Sequence, residues 1–169
     1  MPFIILFLLI IVHELGHFLS ALFFKIDVDK IYIYPFGGIS KLNISLNESL
    51  IKELIILIMG PVFQIMCYLV LSNMDYFYNY HNLIRVYHYT ILTFNLLPIY
   101  PLDGGKLLNI LFSFNLSFKK SLNITIYISY FTIILYSIYL LSNDISLNIV
   151  VIISFLLYKV GLVYKRKKY

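Results

Sequence analysis

The sequence predicts an all-α polytopic membrane protein of about five transmembrane helices, with a small membrane-associated β-hairpin between the first two. Three observations carry that expectation. Hydrophobic residues make up 61% of the 169 and charged residues 12%, and the mean hydropathy is +0.88, far from the averages of soluble domains. Apolar runs about 20 residues long, the length that crosses a bilayer, recur along the chain and fill most of it. Between the first two runs the composition turns polar and alternating around Pro35-Phe36-Gly37-Gly38, which is turn chemistry between short strands. The chain reads as one domain over residues 1–169, with core helices over 1–114, accessory helices over 122–164 and a basic tail over 165–169.

The first helix runs from about Pro2 to Phe24. No Lys or Arg precedes it, so it reads as a retained helix and not a cleaved leader. Lys25 to Asn47 is the polar interlude with the hairpin, whose free edge could hold an extended chain by main-chain hydrogen bonds; an ordinary connecting loop is the other reading. The second helix spans about Leu50 to Ser72 and contains Gly60-Pro61, a pair that bends a helix and lets a neighbour approach closely. Asn73 to Asn82, rich in Tyr and without Lys or Arg, reads as an interfacial loop. The third helix begins near Leu83 and ends near Phe114, interrupted by Asn95-Leu96-Leu97-Pro98-Ile99-Tyr100-Pro101-Leu102-Asp103-Gly104-Gly105. Broken backbone at membrane depth is tolerated only where it is buried in protein or lines a wet cavity, so a cavity is expected there. A fourth helix over about Leu122 to Leu141 and a fifth over about Ile145 to Tyr164, joined by Ser142-Asn143-Asp144, carry no candidate catalytic group and read as scaffold.

The chemistry is concentrated in His13-Glu14-Leu15-Gly16-His17, inside the apolar run of the first helix. Ionisable groups are expensive there and functional by default. Residues four apart on a helix share a face, so His13 and His17 present their imidazoles at a spacing that suits two ligands on one zinc ion. In an H-E-x-x-H arrangement Glu14 is the base toward the attacking water and not a ligand. A chance match or a buried polar cluster is the competing reading. Two histidines leave zinc short of a third protein ligand. Asp27, Asp29, Glu48, Asp75 and Asp144 fall in expected loops and Glu53 at a helix start, which leaves Asp103 as the embedded carboxylate; its alternative role is a helix cap before Gly104-Gly105. His81 and His88 are expected near the opposite surface and are poor ligands.

Charge agrees with this assignment. The net charge of +5 gathers at the membrane edges and in Lys165-Arg166-Lys167-Lys168, a topology signal, and no nucleic-acid partner is expected. With the tail cytoplasmic, five spans put the N-terminus outside, and Lys25, Lys30, Lys41, Lys119 and Lys120 all fall inside, leaving Arg85 on the outer side. At 1.5 Å per residue, His17 and Asp103 then lie roughly 10 to 17 Å below the cytoplasmic surface and share a depth. The single cysteine, Cys67, excludes an internal disulfide and a Cys-rich metal cluster.

With both motifs in hand, His13-Glu14-x-x-His17 and Asn95-x-x-Pro98-x-x-Pro101-Leu102-Asp103-Gly104-Gly105, residues 1–114 resemble the site-2 protease family of intramembrane zinc metalloproteases. The likeness is greatest to the compact branch that processes sigma-factor precursors during sporulation. Pro35-Phe36-Gly37-Gly38 and Gly60-Pro61 also resemble family features. The resemblance implies that one zinc per chain is held by His13, His17 and Asp103, that Glu14 is the general base, and that Asn95 acts near the substrate carbonyl or oxyanion. Three departures stand beside it. Family members commonly carry a helix before the histidine-bearing one, an Asn often follows the Gly-Pro pair where this chain has Gln64, and no regulatory domain follows the helices. The expected activity is hydrolysis of a peptide bond in or near a transmembrane segment of a membrane-associated regulatory protein, within the bilayer. The alternatives are an inactive membrane scaffold of the same family and an ion or proton transporter.

Overall fold

The computed structural model describes residues 2–26, 28–34, 37–42, 49–141 and 147–166, so the expected turns at Pro35-Phe36 and Ser142-Asn143-Asp144 and the carboxylates Asp27, Glu48 and Asp144 lie outside the described residues. Six α-helices, one 3-10 helix and two strands are seen among them. Two compact units result, Met1–Asn95 and Leu96–Tyr169.

In the first unit, α1 runs Pro2–Phe23 and opens on Pro2, where a missing N–H is no loss because the first turn has no partner for it. It stops at Lys25, whose φ of 55° is left-handed. The Lys25 N–H donates to the Leu22 carbonyl at 2.9 Å and the Ile26 N–H to the Ala21 carbonyl at 3.0 Å, the paired bonds of a Schellman ending. Ile26 is then buried against Ala21 and Ile56, the apolar contact that accompanies such an ending. After it come the antiparallel strands β1, Val28–Tyr34, and β2, Gly37–Leu42, in register Tyr34 to Gly37 and Ile31 to Ser40, with a shift between Val28 and Lys30.

The second helix, α2, covers Leu50–Ser72. Ser49 caps it, its hydroxyl oxygen accepting from the Ile51 N–H at 3.3 Å. A 3-10 helix over Asp75–Tyr80 occupies the stretch expected as a loop, and α3 follows over His81–Asn95. Ile84 and Ile91 of α3 pack with Ile5, Leu9 and Ile10 of α1 in one buried cluster. Along α1 the exposed face carries Ile4, Ile11, Leu15 and Leu22, while His13, Glu14 and His17 are buried. That distribution is inverted relative to a helix in water. It suits a helix whose outer face meets lipid and whose inner face holds polar groups in protein.

Backbone approach sets the α1–α2 packing. A Cβ at Gly16 would fall against the Met59 backbone carbonyl, so the helices touch main chain to main chain there. Pro61 lies within α2, which continues through it.

The second unit holds α4, Asp103–Ser113; α5, Phe118–Leu141; and α6, Leu147–Arg166. The expected single third helix is in fact two, α3 and α4, because Pro98 and Pro101 can neither donate a backbone hydrogen bond nor accept an α-helical predecessor. The expected count of about five spans is corrected accordingly. Among the described residues three helices are long and apolar enough to cross a membrane, Pro2–Phe23, Leu50–Ser72 and Phe118–Ile138. The start of α5 takes in Lys119 and Lys120, expected as loop, and α6 runs past Lys165 into the expected tail. Lysine is a good helix former whose stem can follow apolar surface while its ammonium reaches water, so neither segment had to unwind.

Replacing Gly16 with Ala is expected to lower stability by about 1–3 kcal/mol, the usual cost of overpacking. Thermal unfolding of the detergent-solubilised protein measures it; an unchanged midpoint would contradict the main-chain contact.

Candidate metal centre

The two imidazoles of α1 lie 3.2 Å apart at their Nε2 atoms, with ring centroids 4.9 Å apart and planes at 79°. Helical spacing brings them to one face, and α2 fixes their rotation. His17 Nδ1 lies 2.9 Å from the Ile56 carbonyl oxygen, and His13 Nδ1 lies 2.9 Å from Gln64 Oε1. Both partners are acceptors, so both Nδ1 atoms are the donors and carry the ring protons. Each Nε2 therefore holds a lone pair, and the two nitrogens are close enough to share one cation. Two like acceptors at this distance repel unless a cation or a proton lies between them. Nitrogens each about 2.0–2.1 Å from a tetrahedral zinc stand about 3.3–3.4 Å apart, close to the separation seen. The donor set fits zinc.

Gly60 completes the seat. A Cβ there would run into the His17 imidazole, so only a glycine leaves the ring its place beside α2. Glu14, adjacent to His13, is 8% exposed and buried with the histidines, which are 1% and 4% exposed.

Asp103 is the first residue of α4 and is buried. The cap position belongs to Leu102, with no side-chain cap bond, so the capping alternative for Asp103 is not realised. Its Oδ1 pairs with Lys106 Nζ at 3.3 Å. The turn before it is held from α5: the Tyr100 N–H donates to Ser129 Oγ at 2.8 Å. At Gly104 a Cβ would meet the Leu96 and Leu97 carbonyls, and at Gly105 the Ile99–Tyr100 backbone, so the glycine pair is what lets the broken segment fold back on its helix. Among the described residues, Asp103 is the buried carboxylate of the second unit, and Glu14 that of the first. Asn95 is the last residue of α3 and is buried.

Four contributors were missed in the sequence. Gln64, marked only as a departure from a family pattern, is the acceptor for His13. His88 is buried, its ring stacked on Tyr68 with centroids 4.3 Å apart and planes at 9°, and its carbonyl accepts from Gln64 Nε2 at 3.0 Å. Ser129 lies in a helix read as plain scaffold. A glutamine in an otherwise apolar span was a signal that could have been followed, because buried amides need partners. The Ile56 carbonyl and Ser129 gave none.

Residues 1–77 match the model of peptidase family M50. The chain is 38% identical over 120 residues to stage IV sporulation protein FB of Bacillus subtilis, across 69% of this chain and 42% of that one. It is 31% identical over 158 residues to a zinc metalloprotease of Methanocaldococcus jannaschii, across 89% of this chain and 45% of that one. The matched regions thus span less than half the length of these relatives. Among solved structures, the site-2 protease from Methanocaldococcus jannaschii superposes with a TM-score of 0.76 at 26% identity, covering 95% of this chain and 76% of that one.

Gly60→Ala is expected to displace the His17 ring and weaken zinc binding by about 10–100-fold, the range for lost ligand orientation. Competition against a chromophoric chelator measures it, and undiminished affinity would show that the ring does not need that space.

Proposed function

We propose that the chain belongs to peptidase family M50, the site-2 protease family, and that it is an intramembrane zinc metalloendopeptidase cutting a peptide bond in or near a transmembrane segment of a membrane-associated regulatory protein. The observation that carries the reading is the histidine pair, with both Nδ1 atoms bonded to acceptors on α2 and the two Nε2 atoms 3.2 Å apart. Membrane residence is supported by the three long apolar helices and by the relatives. In this reading the whole chain is one protease domain, its basic tail cytoplasmic and its N-terminus outside, which follows the positive-inside distribution of Lys and Arg.

His13, His17 and Asp103 would hold one zinc ion per chain, two neutral nitrogens and a carboxylate that leave a fourth position open. When bound, zinc supplies a water acidic enough to attack at neutral pH and polarises the scissile carbonyl. Glu14 takes the proton of the attacking water and returns it to the departing amine nitrogen, a shuttle that its buried position beside His13 favours. Asn95 is proposed to donate its amide to the developing oxyanion, a contribution of about 3–4 kcal/mol for one preorganised donor. Main-chain hydrogen bonds to a strand edge in the β1–β2 pair would keep the substrate extended, since helical backbone hides its carbonyls from attack.

Substitution Glu14→Gln keeps the shape and removes the base. Zinc content of the purified variant is expected to equal that of the parent, and cleavage of a co-expressed single-pass membrane substrate to fall by about 10²–10⁴-fold. Unaltered turnover would remove Glu14 from the mechanism. Stoichiometric zinc in a parent protein that cleaves no membrane substrate would favour an inactive scaffold.

A further inference from the structure

Gln64 is fully buried in α2 and bridges two groups of different kinds. Its Nε2 lies 3.0 Å from the His88 backbone carbonyl, which can only accept. The nitrogen end of the amide is therefore the end that faces α3. That leaves Oε1 facing His13 Nδ1 at 2.9 Å, and an oxygen there obliges the imidazole nitrogen to be the donor. With the amide turned around, Oε1 would meet the His88 carbonyl, oxygen against oxygen, and the amide nitrogen would force the His13 proton onto Nε2. An Nε2 that carries a proton has no lone pair for a cation. The orientation of one buried amide thus decides whether His13 can act as a ligand.

The far end of this bridge is itself fixed. His88 stacks on Tyr68, one turn beyond Gln64 on α2, and its ring Nδ1 lies 3.4 Å from the same Gln64 nitrogen. Ile84 and Ile91, a turn to either side of His88, anchor α3 in the cluster with Ile5, Leu9 and Ile10. The chain His88 carbonyl, Gln64 amide, His13 imidazole runs through buried groups throughout.

We propose that Gln64 is the positioning residue that sets the tautomer of His13 and thereby the affinity of the histidine pair for zinc, with the His88 carbonyl as its orienting anchor. The affinity half of this inference rests on the zinc reading above; the tautomer half does not. His17 needs no such device, because its acceptor is a backbone carbonyl that cannot be reversed.

Two measurements on the full-length protein in detergent test it. The first uses metal-free protein labelled with ¹⁵N-histidine, whose four histidines give separate imidazole nitrogen shifts. In the parent, His13 is expected to be protonated at Nδ1; in Gln64→Met, which keeps the volume and removes both hydrogen-bonding ends, it is expected to become a mixture of tautomers. A His13 protonated at Nε2 in the parent, or unchanged in the variant, overturns the inference without any use of metal. The second titrates zinc alone into parent and variant, with a fall in affinity of about 10–100-fold expected in Gln64→Met. Equal affinity overturns the role of Gln64 and leaves the zinc site standing, whereas a parent that binds no zinc overturns the zinc reading while the tautomer shift still decides what Gln64 does.

Discussion

The first unit depends on how closely α1 and α2 can lie. At Gly16 the two backbones meet without an intervening side chain, and at Gly60 the space a Cβ would take is filled by the His17 ring. In a bilayer this closeness cannot come from hydrophobic exclusion, since lipid tails are as apolar as Leu; it comes from packing and from polar groups that find partners only in protein. The reward is geometric. With α2 this near, the Ile56 carbonyl and the Gln64 amide reach both Nδ1 atoms at 2.9 Å, and two rings that would otherwise rotate are held in one tautomer and one orientation. A side chain on either glycine would separate the helices and release the rings.

The second unit solves a different problem, which is how to keep an interrupted helix next to a carboxylate that must stay put. Prolines at 98 and 101 leave main-chain groups without helical partners, and buried main-chain polar groups demand them. Ser129 takes the Tyr100 N–H, and Ser121 bonds the side chain of Asn109 at 2.8 Å. Ser121, Thr125 and Ser129 follow one another at intervals of four on the buried face of α5, and through Ser129 a helix without catalytic groups still holds the segment before Asp103. Lys106 then pairs with one Asp103 oxygen from the next turn of α4.

What could be read from the sequence was whatever depends on spacing within one element. His13 and His17 share a face because four residues make about one turn, Leu50–Ser72 stood out as an apolar run of spanning length, and the break near Asp103 followed from its prolines. What could not be read depends on register between elements. Nothing in the sequence says that the Ile56 carbonyl, rather than the next one along α2, faces His17, or that Gln64 reaches past His13 to the backbone of α3. Local composition also misled: Tyr-rich residues 75–80 looked like a loop and form a 3-10 helix, and lysines near 119 looked like an interhelical segment and open α5. The Asp103 alternative, a helix cap, turned on a single position of helix phase, which only the structure resolves.

The function proposed for the histidine pair requires one coordination sphere. X-ray absorption at the zinc edge of the purified full-length protein measures it directly. Two imidazole nitrogens at about 2.0–2.1 Å and carboxylate oxygen at about 2.0–2.2 Å are the expected shell. An absent zinc signal, a shell containing the Cys67 sulfur, or a shell with no imidazole scattering would contradict it.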